Sequence, residues 1–156
     1  MTYRICKSFT VESGHMLMKH PGLCRFPHGH SRTVEIVLAA ERLDERDMVC
    51  DFKAVKLACK AFIDRFDHSM ALNAADPMVE RLGPMGERLV LFEGVDPTTE
   101  VLAEHIYRFL KGELSAGKTY PDERGVAYRF PPGLRLERVR VSETASTWAE
   151  YAEGPG

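Results

Sequence analysis

The sequence predicts an α+β domain in which helices cover one face of an antiparallel sheet. Three observations point there. Apolar residues alternate along 3–11, 32–40 and 134–143, the period of a half-buried strand. They recur at three-and-four spacing along 52–66 and again after residue 99, the period of an amphipathic helix. The resulting order is strand, strand, helix, short strand, helix, strand, which suits helices packed on one side of a sheet.

Each element has its own grounds. In 3–11, Tyr3, Ile5, Phe9 and Val11 share one parity, and Lys7 interrupts it. In 32–40, Val34, Ile36 and Leu38 oppose Thr33 and Glu35. The first helix carries Phe52, Val55, Cys59, Phe62, Ile63 and Phe66, with Asp51 placed to cap it. Residues 70–95 read as loop, punctuated by Pro77, Gly83, Pro84 and Gly86, with one apolar run from Leu89 to Phe92. The second helix is expected from about Pro97-Thr98-Thr99, capped by Asp96 or Thr98, with Leu102, Ile106, Phe109 and Leu110 buried. Residues 112–133 read as loop. In the last strand Leu134 and Leu136 lie on one parity and Val139 and Val141 on the other, so a bulge near Glu137-Arg138 is expected.

A chain of 156 residues suffices for one domain, 1–156, with a sizeable core. Apolar residues at 44% and charged residues at 28% form an ordinary globular mixture. The net charge of −2 gives no general basic field, so neither nucleic acid nor anionic membrane is an expected partner. Cys6, Cys24, Cys50 and Cys59 form no C-x-x-C pair, which favours free thiols in a reducing compartment. No apolar run reaches the roughly 18 residues of a membrane span. The N-terminus lacks a signal-peptide core, so a cytoplasmic location is expected.

The chemistry concentrates on a few residues. His28 and His30 flank Gly29, and residues two apart on a strand face the same way. Their parity is that of Val34 and Ile36, so both imidazoles are expected over the apolar side of the sheet. His15, at the end of the first strand, can join them. Three neutral imidazoles with an open position suit a catalytic zinc, although an isolated H-x-H also arises by chance. Cys24 can be a fourth ligand, a nucleophile or base, or a small buried residue. Asp67-His68 makes a proton relay or a plain turn after a helix. Glu143 either accepts two parallel hydrogen bonds from an amidine-like edge, as pterins and guanines offer, or ends a strand in solvent. His20 and His105 read as structural.

Taken in order, His15, C-R-F-P-H-G-H at 24–30, M-V-C-D-F at 48–52, F-D-H at 66–68, P-T-T-E at 97–100 and S-E-T at 142–144 resemble the 6-pyruvoyl- and 6-carboxytetrahydropterin synthase family. The resemblance spans about residues 3–151. It implies a tunnelling fold, with a four-stranded antiparallel sheet carrying two helices on one face. It implies a homo-oligomeric barrel, commonly a hexamer built as a dimer of trimers, with active sites between subunits. It implies zinc on His15, His28 and His30, Cys24 as the catalytic thiol, and Asp67 and His68 as a relay. Glu143 would anchor a pterin ring, with Thr98, Thr99 and Glu100 lining its pocket.

Cys24 stands four residues before His28, as in the 6-carboxytetrahydropterin branch; six is typical of the biopterin branch. The resemblance therefore implies conversion of 7,8-dihydroneopterin triphosphate to 6-carboxy-5,6,7,8-tetrahydropterin, acetaldehyde and triphosphate, in the 7-deazaguanine pathway to queuosine. The 6-pyruvoyl enzyme is the alternative, as is a zinc-bearing paralogue that binds a pterin or purine without turnover. Arg32 stands where an aromatic residue is common, Asp47 where glycine is usual, and Ser13-Gly14 where Ala-Ala is common; the loop 69–95 is long. Lys19, Arg25 and Arg32 are the cations near enough in sequence to meet a phosphate.

Overall fold

A long hairpin organises the structure. The computed structural model describes residues 1–154; positions 155–156 of the expected 1–156 domain lie outside the described residues. Strand β1 (Tyr3–His15) pairs antiparallel with β2 (His28–Ala40) along its whole length, from Tyr3 opposite Ala40 to His15 opposite His28. Both strands are longer than the alternation of 3–11 and 32–40 indicates. The extra residues are the polar and histidine-bearing ends, where apolar periodicity gives no signal.

Helix α1 (Phe52–Asp64) follows, and the Asp51 side chain accepts from the Lys53 N–H at 2.8 Å, the expected cap. Strand β3 (Ser69–Asn73), a short helix α2 (Met78–Leu82) and β4 (Leu89–Phe92) come next. Helix α3 (Thr99–Ser115) is capped by Thr98, whose hydroxyl accepts from the Val101 N–H. A small hairpin of β5 (Tyr120–Pro121) and β6 (Ala127–Tyr128) precedes β7 (Arg135–Thr144) and β8 (Thr147–Tyr151).

The main sheet has six strands in the order β4-β3-β1-β2-β7-β8. Its β1-β2-β7-β8 portion is the expected four-stranded antiparallel sheet. The count of four is corrected by β3 and β4, which add in parallel at the β1 edge. Strand β3 lies within the segment read as loop, because Ser69–Asn73 is too short and mixed to show a period. The expected bulge is present: the β2–β7 register shifts between Val37 and Leu38, leaving Glu137 as the extra residue. A second register shift leaves Glu143 extra opposite β8. Asp47 adopts φ 61°, a left-handed conformation that explains a preference for glycine there and that aspartate tolerates.

Val11, Val34, Ile36, Leu38, Val139 and Val141 on one face of the sheet meet Val55, Cys59 and Ile63 of α1 and Leu102, Ile106 and Leu110 of α3. His105 lies beside this core against Phe62, Phe66 and Phe92, and burial lowers its pKa, so it packs as a neutral aromatic ring. Ile106 is fully buried. Its replacement by alanine is expected to cost about 2–5 kcal/mol, from lost transfer energy and the cavity left behind. Urea unfolding monitored by circular dichroism, with unchanged m-value, measures it.

Candidate active site

The hairpin register assembles three histidines. His15 faces His28 directly across β1–β2, and His30 pairs with Ser13. Residues opposite one another share a face, so all three rings project to the helix-covered side. Their ring centroids lie 4.5 to 5.2 Å apart, and one ligating atom from each lies within 4.8 Å of the others. The glycines between them serve the other face. A Cβ on Gly29 would stand 3.0 Å from the Ser13 carbonyl oxygen, so close backbone approach, rather than space between the imidazoles, requires glycine there.

The donor set suits a metal ion. His15 Nδ1 is 2.8 Å from the Pro97 carbonyl and His28 Nδ1 is 2.8 Å from the Phe26 carbonyl. Each Nδ1–H donates to its carbonyl, which leaves each Nε2 unprotonated, with its lone pair as an acceptor. Among the described residues, the buried Nε2 atoms of His28 and His30 have no hydrogen-bond partner. His30 Nε2 is 3.2 Å from Glu143 Oε1, an electrostatic contact without hydrogen-bond alignment. Burial pushes the His15 pKa down to about 4, and burial together with Arg32 lowers that of His30. Both rings are thus neutral near pH 7, the form that binds a metal.

Glu143 joins the site from the opposite strand. Its side chain shares the inward parity of Val139 and Val141 and reaches His30. Its Oε2 accepts from the Thr99 hydroxyl at 2.7 Å. Burial alone would raise the carboxyl pKa, but the Thr99 hydrogen bond and the nearby His30, Arg32 and His15 outweigh it and hold the group below its ordinary value. Glu143 is therefore an ionised acceptor beside the histidine triad. Thr98 is occupied in capping α3, and Glu100 is exposed.

Arg32 is the residue whose placement departs most from expectation. It is 2% exposed, packed beneath the triad, and is not available to a phosphate in solvent. Its Nε donates to Ser13 Oγ and its Nη1 to Thr99 Oγ1, both at 2.9 Å, and Nη1 also reaches the Ser142 carbonyl at 3.3 Å. Its Nη2 is 3.4 and 3.5 Å from the two ring nitrogens of His15. The signal was in the sequence, since Arg32 shares the inward parity of His28, His30 and Val34. Ser13, Ser142 and the carbonyls of Phe26 and Pro97 carry no such signal. Lys19 remains exposed, with its N–H on Asp96, and Arg25 is exposed beside Phe26. His20 forms a local turn with the Gly22 N–H.

Cys24 and Asp67-His68 stand apart from this cluster in the hydrogen-bond network. Cys24 is half-buried in a single 3₁₀ turn, and its carbonyl accepts from the Leu17 N–H. Asp67 Oδ1 accepts from the Glu12 N–H at 2.8 Å, and the His68 N–H donates to the Glu12 carbonyl at 2.6 Å. His68 Nδ1 is 2.9 Å from Asp67 Oδ2. The Glu12 N–H bond and then His68 hold the Asp67 carboxyl below its ordinary pKa. His68 is exposed and left-handed at φ 52°, and lines an open cleft of about 320 Å³ with Glu12, Gly14, Gly29 and His30. Within one chain, neither Asp67 nor His68 hydrogen-bonds Cys24.

The family model for 6-pyruvoyl tetrahydropterin synthase matches residues 4–154. The chain belongs to that family. A 6-carboxy-5,6,7,8-tetrahydropterin synthase of Aquifex aeolicus is 31% identical over 98% of this chain and 99% of its own. One of Haemophilus influenzae with the same name is 25% identical over 97% and 99%. Among solved structures, an uncharacterized protein of Wolinella succinogenes superposes with TM-score 0.78 at 22% identity, over 99% of each chain. The 6-pyruvoyltetrahydropterin synthase of Plasmodium vivax does so with TM-score 0.68 at 15% identity, also over 99% of each chain. These structures share the tunnelling fold of the family. Among the described residues no helix is long and apolar enough to cross a membrane.

Proposed function

We propose that this member of the pterin synthase family is a zinc-dependent lyase that converts 7,8-dihydroneopterin triphosphate and water to 6-carboxy-5,6,7,8-tetrahydropterin, acetaldehyde and triphosphate. The observation that carries the reading is three convergent imidazoles, those of His28 and His30 with unpartnered Nε2 atoms, beside an ionised, acceptor-only Glu143. The names of the relatives and the four-residue spacing from Cys24 to His28 support the 6-carboxy product.

His15, His28 and His30 would hold the zinc, whose Lewis acidity eases removal of a proton beside a coordinated oxygen. Glu143 accepts the paired N–H donors of the pterin ring and sets the distance from ring anchor to metal. Thr98, Thr99 and Glu100, at the start of α3, line the ring pocket. The Cys24 thiolate moves the side-chain proton, and Asp67-His68 exchanges protons with it. The absence of a hydrogen bond between these groups in one chain fits active sites formed between subunits, in a homo-oligomer such as a dimer of trimers. The reaction belongs to a cytoplasmic 7-deazaguanine pathway leading to queuosine, and the whole chain acts as one domain.

Purified protein incubated with dihydroneopterin triphosphate is expected to release triphosphate and acetaldehyde in equal amounts, with the 6-carboxy product identified by mass spectrometry. Triphosphate release without acetaldehyde would assign the 6-pyruvoyl reaction instead. Ligand binding with no triphosphate release would leave only a pterin-binding role.

A further inference from the structure

We propose that Arg32 is a positioning residue that, through Thr99, fixes Glu143 as a pure hydrogen-bond acceptor for the ligand's ring. The inference rests on the pterin-synthase reading and concerns how that site is tuned in this chain. Two contacts carry it. Arg32 Nη1 donates to Thr99 Oγ1 at 2.9 Å, and the Thr99 hydroxyl donates to Glu143 Oε2 at 2.7 Å. A hydroxyl has one proton and arginine has no acceptor, so a guanidinium on the Thr99 lone pair forces that proton toward Glu143. The chain of donors therefore has one direction. It takes one lone pair of Oε2 and leaves the remaining lone pairs of the two oxygens to receive the paired N–H donors of a ligand.

Arg32 also fixes the backbone that presents this carboxylate. The same Nη1 reaches the carbonyl of Ser142, the residue immediately before the bulged Glu143. The guanidinium thus touches both the main chain leading into the bulge and the hydroxyl that aims the side chain. The Ser13 hydroxyl accepts from Nε and sets the plane of the fork. The group is almost wholly buried, so its contacts are not diluted by solvent. Burial lowers the pKa of the guanidinium, and the Glu143 charge opposes that only in part. A phenylalanine at this position would donate nothing to Thr99.

The test compares Arg32→Gln, Arg32→Lys, Thr99→Val and the double variant Arg32→Gln/Thr99→Val with the parent oligomer. The readouts are dissociation constants for 7,8-dihydroneopterin, which lacks the triphosphate arm, KM and kcat for the triphosphate, zinc content and Tm. Arg32→Gln and Thr99→Val are each expected to weaken ring binding by about tenfold or more, the worth of one buried charge-assisted hydrogen bond. KM rises in step, while kcat at saturation stays within about threefold and zinc stays at the parent level. The double variant should be no weaker than the worse single one, because both break one chain of donors. Lysine, with a point charge in place of the fork, should not restore affinity.

Parent-like ring affinity in folded, zinc-loaded Arg32→Gln would overturn the proposal, as would additive losses in the double variant. Should Arg32→Gln fail to fold, parent-like ring affinity in Thr99→Val would overturn it equally. Failure of the parent protein to bind dihydroneopterin or to release triphosphate would instead overturn the functional reading, and the proposal with it.

Discussion

Replacement of His28 and His30 together by alanine is expected to abolish metal binding and to lower kcat/KM by at least about 10³-fold, a loss of several kcal/mol of transition-state stabilisation. The double variant leaves His15 as the only imidazole of the triad, and one imidazole does not retain zinc against dialysis. The fold should survive, because the triad sits at the loop end of the hairpin while the apolar core lies further along β1 and β2. Far-ultraviolet circular dichroism should therefore match the parent, and metal analysis should fall from one zinc per chain to background. Undiminished metal content would remove the triad from the mechanism.

Cys24→Ala is expected to lower kcat by about 10²- to 10⁴-fold, the usual worth of a positioned proton-transfer group, with zinc content unchanged. The four thiols differ in environment. Burial pushes Cys50 and Cys59 up to about 12, and both thiols make internal hydrogen bonds to backbone carbonyls. They stay protonated and unreactive at neutral pH. Cys6 is exposed on β1. Cys24 alone sits in the loop leading to the triad, two residues before Phe26, whose carbonyl accepts from His28. Turnover of Cys24→Ala at the parent rate would remove the thiol from the reaction. Loss of zinc in that variant would recast Cys24 as a ligand.

The elements that bury a regular apolar stripe were legible in the sequence. Val34, Ile36 and Leu38 declare β2, and Leu102, Ile106 and Leu110 declare α3, because burial of one face imposes a period. Strands β3 and β8 were not legible. Ser69–Asn73 draws its place from parallel pairing with β1 and β4, and Thr147–Tyr151 from pairing with β7. The hydrogen bonds of β3 are non-local, and β8, though joined to β7 by a tight turn, is too short to show a period of its own. The site follows the same division. The parity of His28 and His30 on an extended strand forecast their common face. That of Glu143 follows from Val139 and Val141, whose inward parity it shares. Arg32 is buried although a charged residue ordinarily lies in solvent, so its charge conceals its place. Alternation along β2 had already pointed it inward, and here alternation outweighs charge. The carbonyls of Phe26 and Pro97 that orient His28 and His15 belong to backbone, which every residue has, and no residue type marks them.

The pairing of β1 with β2 sets His15 against His28 residue for residue. A slip of one residue would turn one strand's side chains to the opposite face and separate His15 from the other two rings. A hairpin slipped by one residue cannot then gather the three rings, so a metal bound there would stabilise the native alignment over that slip by mass action. The centre thereby doubles as a proofreader of strand pairing: a chain folded out of step would be recognisable by its failure to hold metal.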